Sequence, residues 1–164
     1  MMSEEWTPVV EFPRYEVSTF GDVRDTKTNR IMKKTVVQKQ IPTVGLVRDG
    51  YVCRRSVPLL VASHWLLNEF GEAFDTPIQL DGDRSNCHIE NLMWRPRWFA
   101  VNYHKEKLQP ELLTEEQVVM LQTGEVFDSV RQASINFGFM ERDIIQSMDY
   151  GVDVWPGHVN FDYY

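Results

Sequence analysis

Cysteine is scarce in this sequence, where only Cys53 and Cys87 occur among 164 residues, and they form no Cys-x-x-Cys pair. A disulfide scaffold or a cysteine-based zinc site is therefore not expected, and a reduced cytoplasmic setting fits better. The start, MMSEEWTPVV, lacks a basic-then-apolar signal pattern. The longest apolar run, VPLLVASHWLL, is interrupted by Ser63 and His64 and is too short to cross a bilayer. We expect a cytoplasmic protein without a membrane partner.

Several motifs of catalytic and nucleotide-binding proteins are also missing. The sequence has no Gly-rich phosphate loop, no Ser-His-Asp order and no zinc-ligand spacing. The segment 81–92 begins like a calcium loop, but Asn86 stands where glycine is required and Leu92 where glutamate is required. The segment 81–92 is therefore not expected to bind calcium.

What is present is a composition typical of folded domains. Hydrophobic residues make up 43% and aromatic residues 12% of the chain, enough to form one core or two small ones. The net charge of −7 is unevenly distributed. Residues 14–55 hold ten Lys/Arg against four Asp/Glu, whereas residues 110–164 hold two against ten. A basic first third is what phosphate binding requires, although simple solvated faces would give the same pattern.

Short β-type runs dominate the first third. RYEVSTFGDVRD predicts a hairpin that turns at Gly21, and IPTVGLV with YVCRRSV predicts a second hairpin around Asp49-Gly50. VPLLVASHWLLNEF then predicts a helix with Pro58 in its first turn and Gly71 at its end. PRWFAVNYHKEKL predicts another helix that starts near Pro96.

Pro110 predicts a module boundary, because the composition turns acidic there. TEEQVVMLQTGEVF is ambiguous: Thr114 and Gln117 form a capping box for a helix, but we favour a strand near residues 118–121. Ser129 and Gln132 form a second capping box that opens the helix VRQASINF. Gly138 separates it from a further helix, MERDIIQSM, and two short helices around such a turn are typical of a helix-turn-helix unit.

Four segments, in order, resemble phage-type HNH homing endonucleases of the ββα-metal fold. YEVSTFGDVRD is similar to the nuclease-associated module of that family, and SVPLLVASHWL to its SVHRLVAEAF bridge. LDGDRSNCHIENLMW is similar to the HNH segment, and GEVFDSVRQASINFGFMERDIIQSM to the C-terminal module. The resemblance implies an α+β fold with an antiparallel β-hairpin module (1–56), a central HNH-like ββα-metal unit (57–109) and a helix-turn-helix-type module with an acidic aromatic tail (110–164).

The nuclease motif is degenerate at its chemical centre. In the family, a histidine on the first hairpin strand deprotonates the attacking water, and a neighbouring residue helps to hold a divalent cation. Gln79 stands at the histidine position and Ile78 at the ligand position. An amide cannot accept the proton at neutral pH, and an isoleucine cannot bind a metal ion.

Other residues of the motif keep roles that the resemblance implies. Asn91 would brace the hairpin loop, and His88 is a candidate substitute base, although a solvated loop histidine is the plainer interpretation. Asn102 and His104 would be the surviving half of a metal site, or simply the polar edge of a helix. No cofactor is expected, and Mg²⁺ or Mn²⁺ would be needed only if cleavage survives.

Two main functions follow as hypotheses. The first is a DNA-binding protein without cleavage activity, which would grip double-stranded DNA through the basic first module. Its candidate phosphate-binding residues are Arg24, Lys27, Arg30, Lys33, Lys34, Arg54 and Arg55. Some of these would only solvate strand faces.

The second hypothesis is a phage-type factor whose acidic C-terminal half binds a basic partner protein, such as a nucleic-acid enzyme of host or phage. Its candidate anchors are Trp155, Phe161, Tyr163 and Tyr164, unless these residues form the last strand of the module. An active nickase with an altered site is a third possibility. If the chain is phage-encoded, it would act in the host cytoplasm.

Overall fold

The computed structural model describes residues 3–37, 41–112 and 116–164. The chain forms two compact units. The first unit comprises residues 1–79 and 83–100, and the second comprises residues 80–82 and 101–164. Short antiparallel sheets and, within the described residues, four α-helices make the fold α+β, as predicted.

The first unit begins with a four-stranded antiparallel sheet in sequential order. Its strands are β1 (Trp6–Val9), β2 (Phe12–Ser18), β3 (Val23–Asp25) and β4 (Arg30–Ile31). The predicted turn at Gly21 lies between β2 and β3, and Gly21 has a φ of 83°. A Cβ at Gly21 would lie 2.6 Å from the Cβ of Cys87, so both the backbone angle and the close approach require glycine.

The second predicted hairpin is also confirmed. Strands β5 (Thr43–Arg48) and β6 (Tyr51–Ser56) pair with Arg48 opposite Tyr51. The two residues between them, Asp49 and Gly50, have φ values of 53° and 80°. Positive φ at both central positions gives the type I′ geometry that matches the twist of a hairpin.

Helix α1 (Val57–Trp65) starts where predicted, with Pro58 in the first turn, but it ends six residues before Gly71. The prediction of its end was wrong because Leu66 adopts an extended conformation and packs on the core of the first unit. The side chain of Asn68 then donates to the carbonyls of Gly71 and Phe74, which holds the following segment as a turn. Tertiary packing thus outweighs a helical pattern in the sequence.

A third hairpin and a helix complete the first unit. Strand β7 (Thr76–Gln79) pairs with β8 (Leu92–Arg95), with Gln79 opposite Leu92, and a 3₁₀ turn (Ile89–Asn91) precedes β8. Helix α2 (Arg97–Lys107) follows, as predicted, and only its residues up to Ala100 belong to the first unit. The core of this unit is formed by buried residues from its sheets and α1: Val9, Phe12, Tyr15, Val17, Val23, Val44, Leu46, Val57, Leu60, Val61, Cys87 and Leu92.

The second unit contains a three-stranded sheet and a helix pair. Strand β9 (Val118–Met120) lies between β10 (Glu125–Phe127) and β11 (Phe161–Tyr163), and both pairings are antiparallel. The strand predicted near residues 118–121 is confirmed. Thr114 of the alternative capping box lies outside the described residues.

Helices α3 (Val130–Phe137) and α4 (Glu141–Tyr150) form where the sequence predicted them. The hydroxyl of Ser129 accepts a hydrogen bond from the backbone N–H of Gln132, which caps α3 as expected. Gly138 ends α3 in the left-handed conformation, with a φ of 63°. Phe137, Ile144, Ile145 and Met148 all contribute to one core beneath the sheet, together with Phe161.

The two compact units do not coincide with the three predicted modules, because the boundary between the units lies within α2, after Ala100, and not at Pro110. The modules 1–56, 57–109 and 110–164 therefore stay predictions about sequence organisation. Among the described residues, no helix is both long and apolar enough to span a membrane.

Candidate functional site

The two degenerate positions of the nuclease motif lie inside the protein. Ile78 and Gln79, on strand β7, both have 0% of their surface exposed. Ile78 lies opposite Met93, and Gln79 opposite Leu92. A side chain without exposed surface contacts neither a solvent water nor a phosphate, so these positions serve packing in this structure.

The loop between β7 and β8 is held by its own polar side chains. The carboxylate of Asp83 accepts from the backbone N–H and the hydroxyl of Ser85, and these bonds lower the pKa of Asp83. The side-chain amide of Asn91 donates to the carbonyl of Asn86 at 3.0 Å. This bond braces the loop, which is the role that the resemblance implied for Asn91.

His88 is held by contacts on two sides. Its Nδ1 accepts a hydrogen bond from the backbone N–H of Glu90 at 3.2 Å, which caps the 3₁₀ turn. Its ring also packs on Phe20, with 4.7 Å between ring centroids. Because Nδ1 accepts a hydrogen bond, the neutral imidazole carries its hydrogen on Nε2, so Nε2 is a donor and the Nδ1 lone pair is already engaged. This geometry argues for a structural role of His88.

The two candidate metal ligands, Asn102 and His104, are not arranged to coordinate one metal ion together. Asn102 is exposed, whereas His104 is 5% exposed, and both belong to the second unit. Two positions along a helix correspond to about 200° of rotation, so the two side chains lie on different faces of α2. Within the described residues, no group of three or more His, Cys, Asp or Glu side chains is arranged to hold a metal ion. Metal binding by Asn102 or His104 stays a prediction without geometric support.

Three of the seven candidate phosphate-binding residues already pair with acids of their own unit. Arg24 contacts Glu16 at 2.5 Å and lies 4.2 Å from the centre of the Trp6 ring. Lys34 contacts Asp22 at 2.8 Å, and Arg55 contacts Glu11 at 3.2 Å while it packs over Phe12. The three cations are themselves partly buried, with 30–35% of each side chain exposed, so they mainly support the sheets.

The other four cations are exposed. Lys27 lies in the turn between β3 and β4, and Arg30 is the first residue of β4. Lys33 follows β4, and Arg54 lies on β6 opposite Gly45. None of the ion pairs among the described residues includes one of these four. Of the seven candidates, these four remain available for phosphate.

The second unit contains a buried ionic cluster that the sequence did not reveal. Oε1 of Glu141 accepts from Lys107 at 2.9 Å and from Arg131 at 2.7 Å, and Glu141 is 0% exposed. Burial raises the pKa of Glu141, but the bonds from the two cations outweigh it and the net pKa is lowered. Glu141 is therefore an internal carboxylate.

Glu106 caps the start of α4. Its carboxylate accepts from the backbone N–H groups of Glu141, at 2.7 Å, and Arg142, at 3.4 Å. Burial raises the pKa of Glu106. The end of α4 that attracts anions is thus occupied by a side chain of the same unit.

The four candidate anchors of the C-terminal segment have different environments. Phe161 is 1% exposed and belongs to the core, so it is not a partner anchor, and Trp155 is half-buried. Phe161 and Tyr163 form β11, as the alternative interpretation predicted. Tyr163 and Tyr164 are 46% and 76% exposed. Only these two tyrosines are well exposed among the four.

Two comparisons with known proteins agree with this architecture. Residues 4–47, which contain the first sheet and most of β5, match the model of the NUMOD4 motif. The fold is also similar to a solved structure, described as DNA binding and cleavage by the HNH homing endonuclease I-HmuI, with a TM-score of 0.55. The two chains are 19% identical, and the match covers 98% of each. At this identity the likeness establishes a shared fold. No curated protein matches the sequence.

Proposed function

We propose that this chain is a DNA-binding protein built on the scaffold of an HNH homing endonuclease, and that it no longer cleaves DNA. The observation that carries the proposal is the combination of a NUMOD4 match over residues 4–47 with a buried Gln79 at the general-base position. The solved structure with the same fold is of a protein that binds and cleaves DNA. The origin would be a bacteriophage genome, and the site of action the host cytoplasm.

The loss of cleavage rests on three features of the first unit. Gln79 has no titratable group near neutral pH, and Ile78 has no metal ligand. Both side chains are buried, so neither position is open to water or phosphate. His88, the candidate substitute base, uses Nδ1 to cap a 3₁₀ turn. Loss of the general base alone costs about 10²–10⁴-fold in rate.

DNA binding would depend on the four exposed cations, Lys27, Arg30, Lys33 and Arg54. Each cation that contacts a phosphate releases a bound counterion, so affinity falls as salt rises. Four contacts correspond to a slope of about −3.6 in log affinity against log salt for duplex DNA. Such contacts position the protein but carry no sequence information by themselves.

The helix pair α3–α4 has the order of a helix-turn-helix unit, but α4 is a poor candidate for binding DNA. The backbone N–H groups at its start are used by Glu106, and Glu141 is buried against Lys107. A phosphate at this helix start would compete with a carboxylate that is already in place. The helix pair would therefore be a packing element in this protein.

The binding proposal is tested by fluorescence anisotropy of a labelled 30-base-pair duplex over a range of salt concentrations. Lys33→Ala and Arg54→Ala should each weaken binding and reduce the salt slope by about 1. Lys105→Ala, an exposed lysine of α2 in the second unit, is the matched control and should leave the slope unchanged. Duplex binding that is absent, or that does not depend on salt, would contradict the proposal.

Cleavage is tested separately, with supercoiled plasmid in the presence of Mg²⁺ or Mn²⁺. We expect no nicked product above background. A metal-dependent nick that disappears in His88→Ala would instead identify the chain as a nickase with an altered site. The two assays are independent, so the proposal of DNA binding can be right even if the prediction that cleavage is lost proves wrong.

A second function, binding of a basic partner protein, is favoured by one feature of the second unit. Tyr163 and Tyr164 are exposed beside carboxylates, and residues 110–164 as a whole carry ten acidic but only two basic residues. Exposed tyrosines are typical anchors of protein interfaces. The test is gel filtration of the chain mixed with host lysate, once with and once without nuclease treatment. A complex that survives the nuclease contains a protein partner, whereas one that disappears was held by DNA.

A further inference from the structure

We infer that the second unit has a binding site for an arginine side chain of a basic partner, in the cleft lined by Glu116, Gln117, Tyr163 and Tyr164. This inference rests on the second proposed function and names the chemistry that its partner would present. It does not depend on DNA binding by the first unit. We call this cleft the tyrosine cleft.

The tyrosine cleft has the size of a small-ligand site. Its volume is about 470 Å³, within the range of about 300–1,000 Å³ that is usual for such pockets. The backbone N–H of Tyr164 donates to the carbonyl of Gln117 at 3.1 Å, which joins the end of β11 to the residue before β9. The cleft walls are therefore tied together by the sheet.

Tyr163 has a fixed orientation within this cleft. Its phenol O–H donates to the carboxylate of Asp149, on α4, at 3.1 Å. The hydrogen bond to Asp149 is the main cause that raises the pKa of Tyr163, followed by burial and by the negative charges of Asp149, Glu116 and Asp162. One carboxylate, that of Asp149, thus holds the ring by a hydrogen bond, and a second, that of Glu116, lines the same cleft.

No cation of the described chain neutralises these carboxylates. The ion pairs among the described residues include none of Glu116, Asp149 and Asp162. This distinguishes them from Glu11, Glu16 and Asp22 of the first unit, each of which has a basic partner. An aromatic cleft with uncompensated negative charge is complementary to an organic cation.

Arginine fits this cleft better than the alternatives. Its flat guanidinium stacks on an aromatic face and gives up water more readily than the ammonium of lysine, and its five N–H groups suit carboxylates. A nucleic acid would bring phosphates toward three carboxylates, which is unfavourable. A bare metal ion would gain little from tyrosine rings.

The test is a titration of the full-length, ¹⁵N-labelled chain with a twelve-residue Arg-Gly peptide, followed by backbone amide shifts. We expect shifts around residues 116–118 and 162–164, and weaker binding of the equivalent Lys-Gly peptide. Tyr164→Ala should weaken binding about two- to fivefold, which is the usual effect of one exposed cation–π contact. Tyr51→Ala is the matched control, because Tyr51 of the first unit is also 76% exposed.

A second pair of variants separates this site from general charge attraction. Glu116→Gln should weaken binding of the Arg-Gly peptide, whereas Glu125→Gln, an exposed acid on β10 opposite Met120, should not. Equal effects of the two substitutions, or of Tyr164→Ala and Tyr51→Ala, would overturn the inference. Shifts at the same residues with duplex DNA in place of peptide would overturn it as well. Salt-dependent duplex binding through Lys33 and Arg54 is measured in a separate assay, so failure here leaves the first proposed function unaffected.

Discussion

Removal of the Glu141 carboxylate should be among the most destabilising single changes in this protein. Glu141 is fully buried and Lys107, its partner at 2.9 Å, has a side chain only 3% exposed. Glu141→Ala leaves the ammonium of Lys107 buried without its counter-charge. Breaking a buried ion pair from one side costs about 3–5 kcal/mol, so we expect the free energy of unfolding to fall by that amount at pH 7.

The pH dependence of this loss follows from Lys107. Burial lowers the pKa of Lys107, because the charged form is the one that burial penalises. Without Glu141 this pKa should fall further below the value in the unfolded chain. A depressed lysine pKa destabilises the fold at pH values below the unfolded pKa, and the cost disappears as Lys107 loses its proton. The deficit of Glu141→Ala should therefore shrink between pH 7 and pH 10.

The measurement is urea unfolding followed by circular dichroism, with hydrogen exchange of α3 and α4 to assign the change to the second unit. Glu125→Ala, which removes an exposed acid of the same unit, should stay within about 0.5 kcal/mol of the parent. The double variant Lys107→Met/Glu141→Leu should be more stable than Glu141→Ala, since it leaves no buried ammonium. A loss below about 1 kcal/mol in Glu141→Ala would refute the reasoning.

Three further predictions concern the first unit. Gly21→Ala should cost about 2–4 kcal/mol in the same unfolding assay, because it combines a left-handed φ with overlap on Cys87. Burial raises the pKa of the Cys87 thiol to about 11, so mass spectrometry after iodoacetamide treatment at pH 7.5 should find alkylation at the half-buried Cys53 and not at Cys87, and equal labelling in the native state would contradict this. The hydrogen bond from Arg14 lowers the pKa of Asp25 to about 2, so its contribution to stability is present above about pH 4 and is lost toward pH 2. Asp25→Asn should be less stable than the parent at pH 6, and a difference that persists unchanged at pH 2 would exclude this mechanism.

Local signals in the sequence predicted most of the secondary structure. Gly21 and Asp49-Gly50 predicted two turns because the required positive φ is a property of the residues themselves. Ser129 with Gln132 predicted the start of α3 because the cap involves neighbours in the chain. The ion pair between Glu16 and Arg24 could also have been predicted, since a hairpin that turns at Gly21 puts these two residues directly opposite each other.

The end of α1 and the ionic cluster were not predictable from local patterns. Leu66 leaves the helix because it packs on residues distant in sequence, and a helical period continues past it. Lys107 and Glu141 are 34 positions apart, so no spacing rule relates them. The burial of Gln79 was not predictable for the same reason. Its accessibility depends on the residues that pack around it in the folded chain, and a local pattern does not reveal them.

The acids beside Arg24, Lys34 and Arg55 have one more consequence for contact with DNA. A cation that already contacts a carboxylate carries few mobile counterions. Its transfer to a phosphate exchanges one anion for another, so the affinity it adds changes little as the salt concentration falls. Each of these three side chains would have to leave its carboxylate to contact a phosphate, so they would contribute little to the salt dependence of DNA binding. The attraction of a duplex would then come from the exposed cations, and the paired ones would keep the sheets in shape while it is bound.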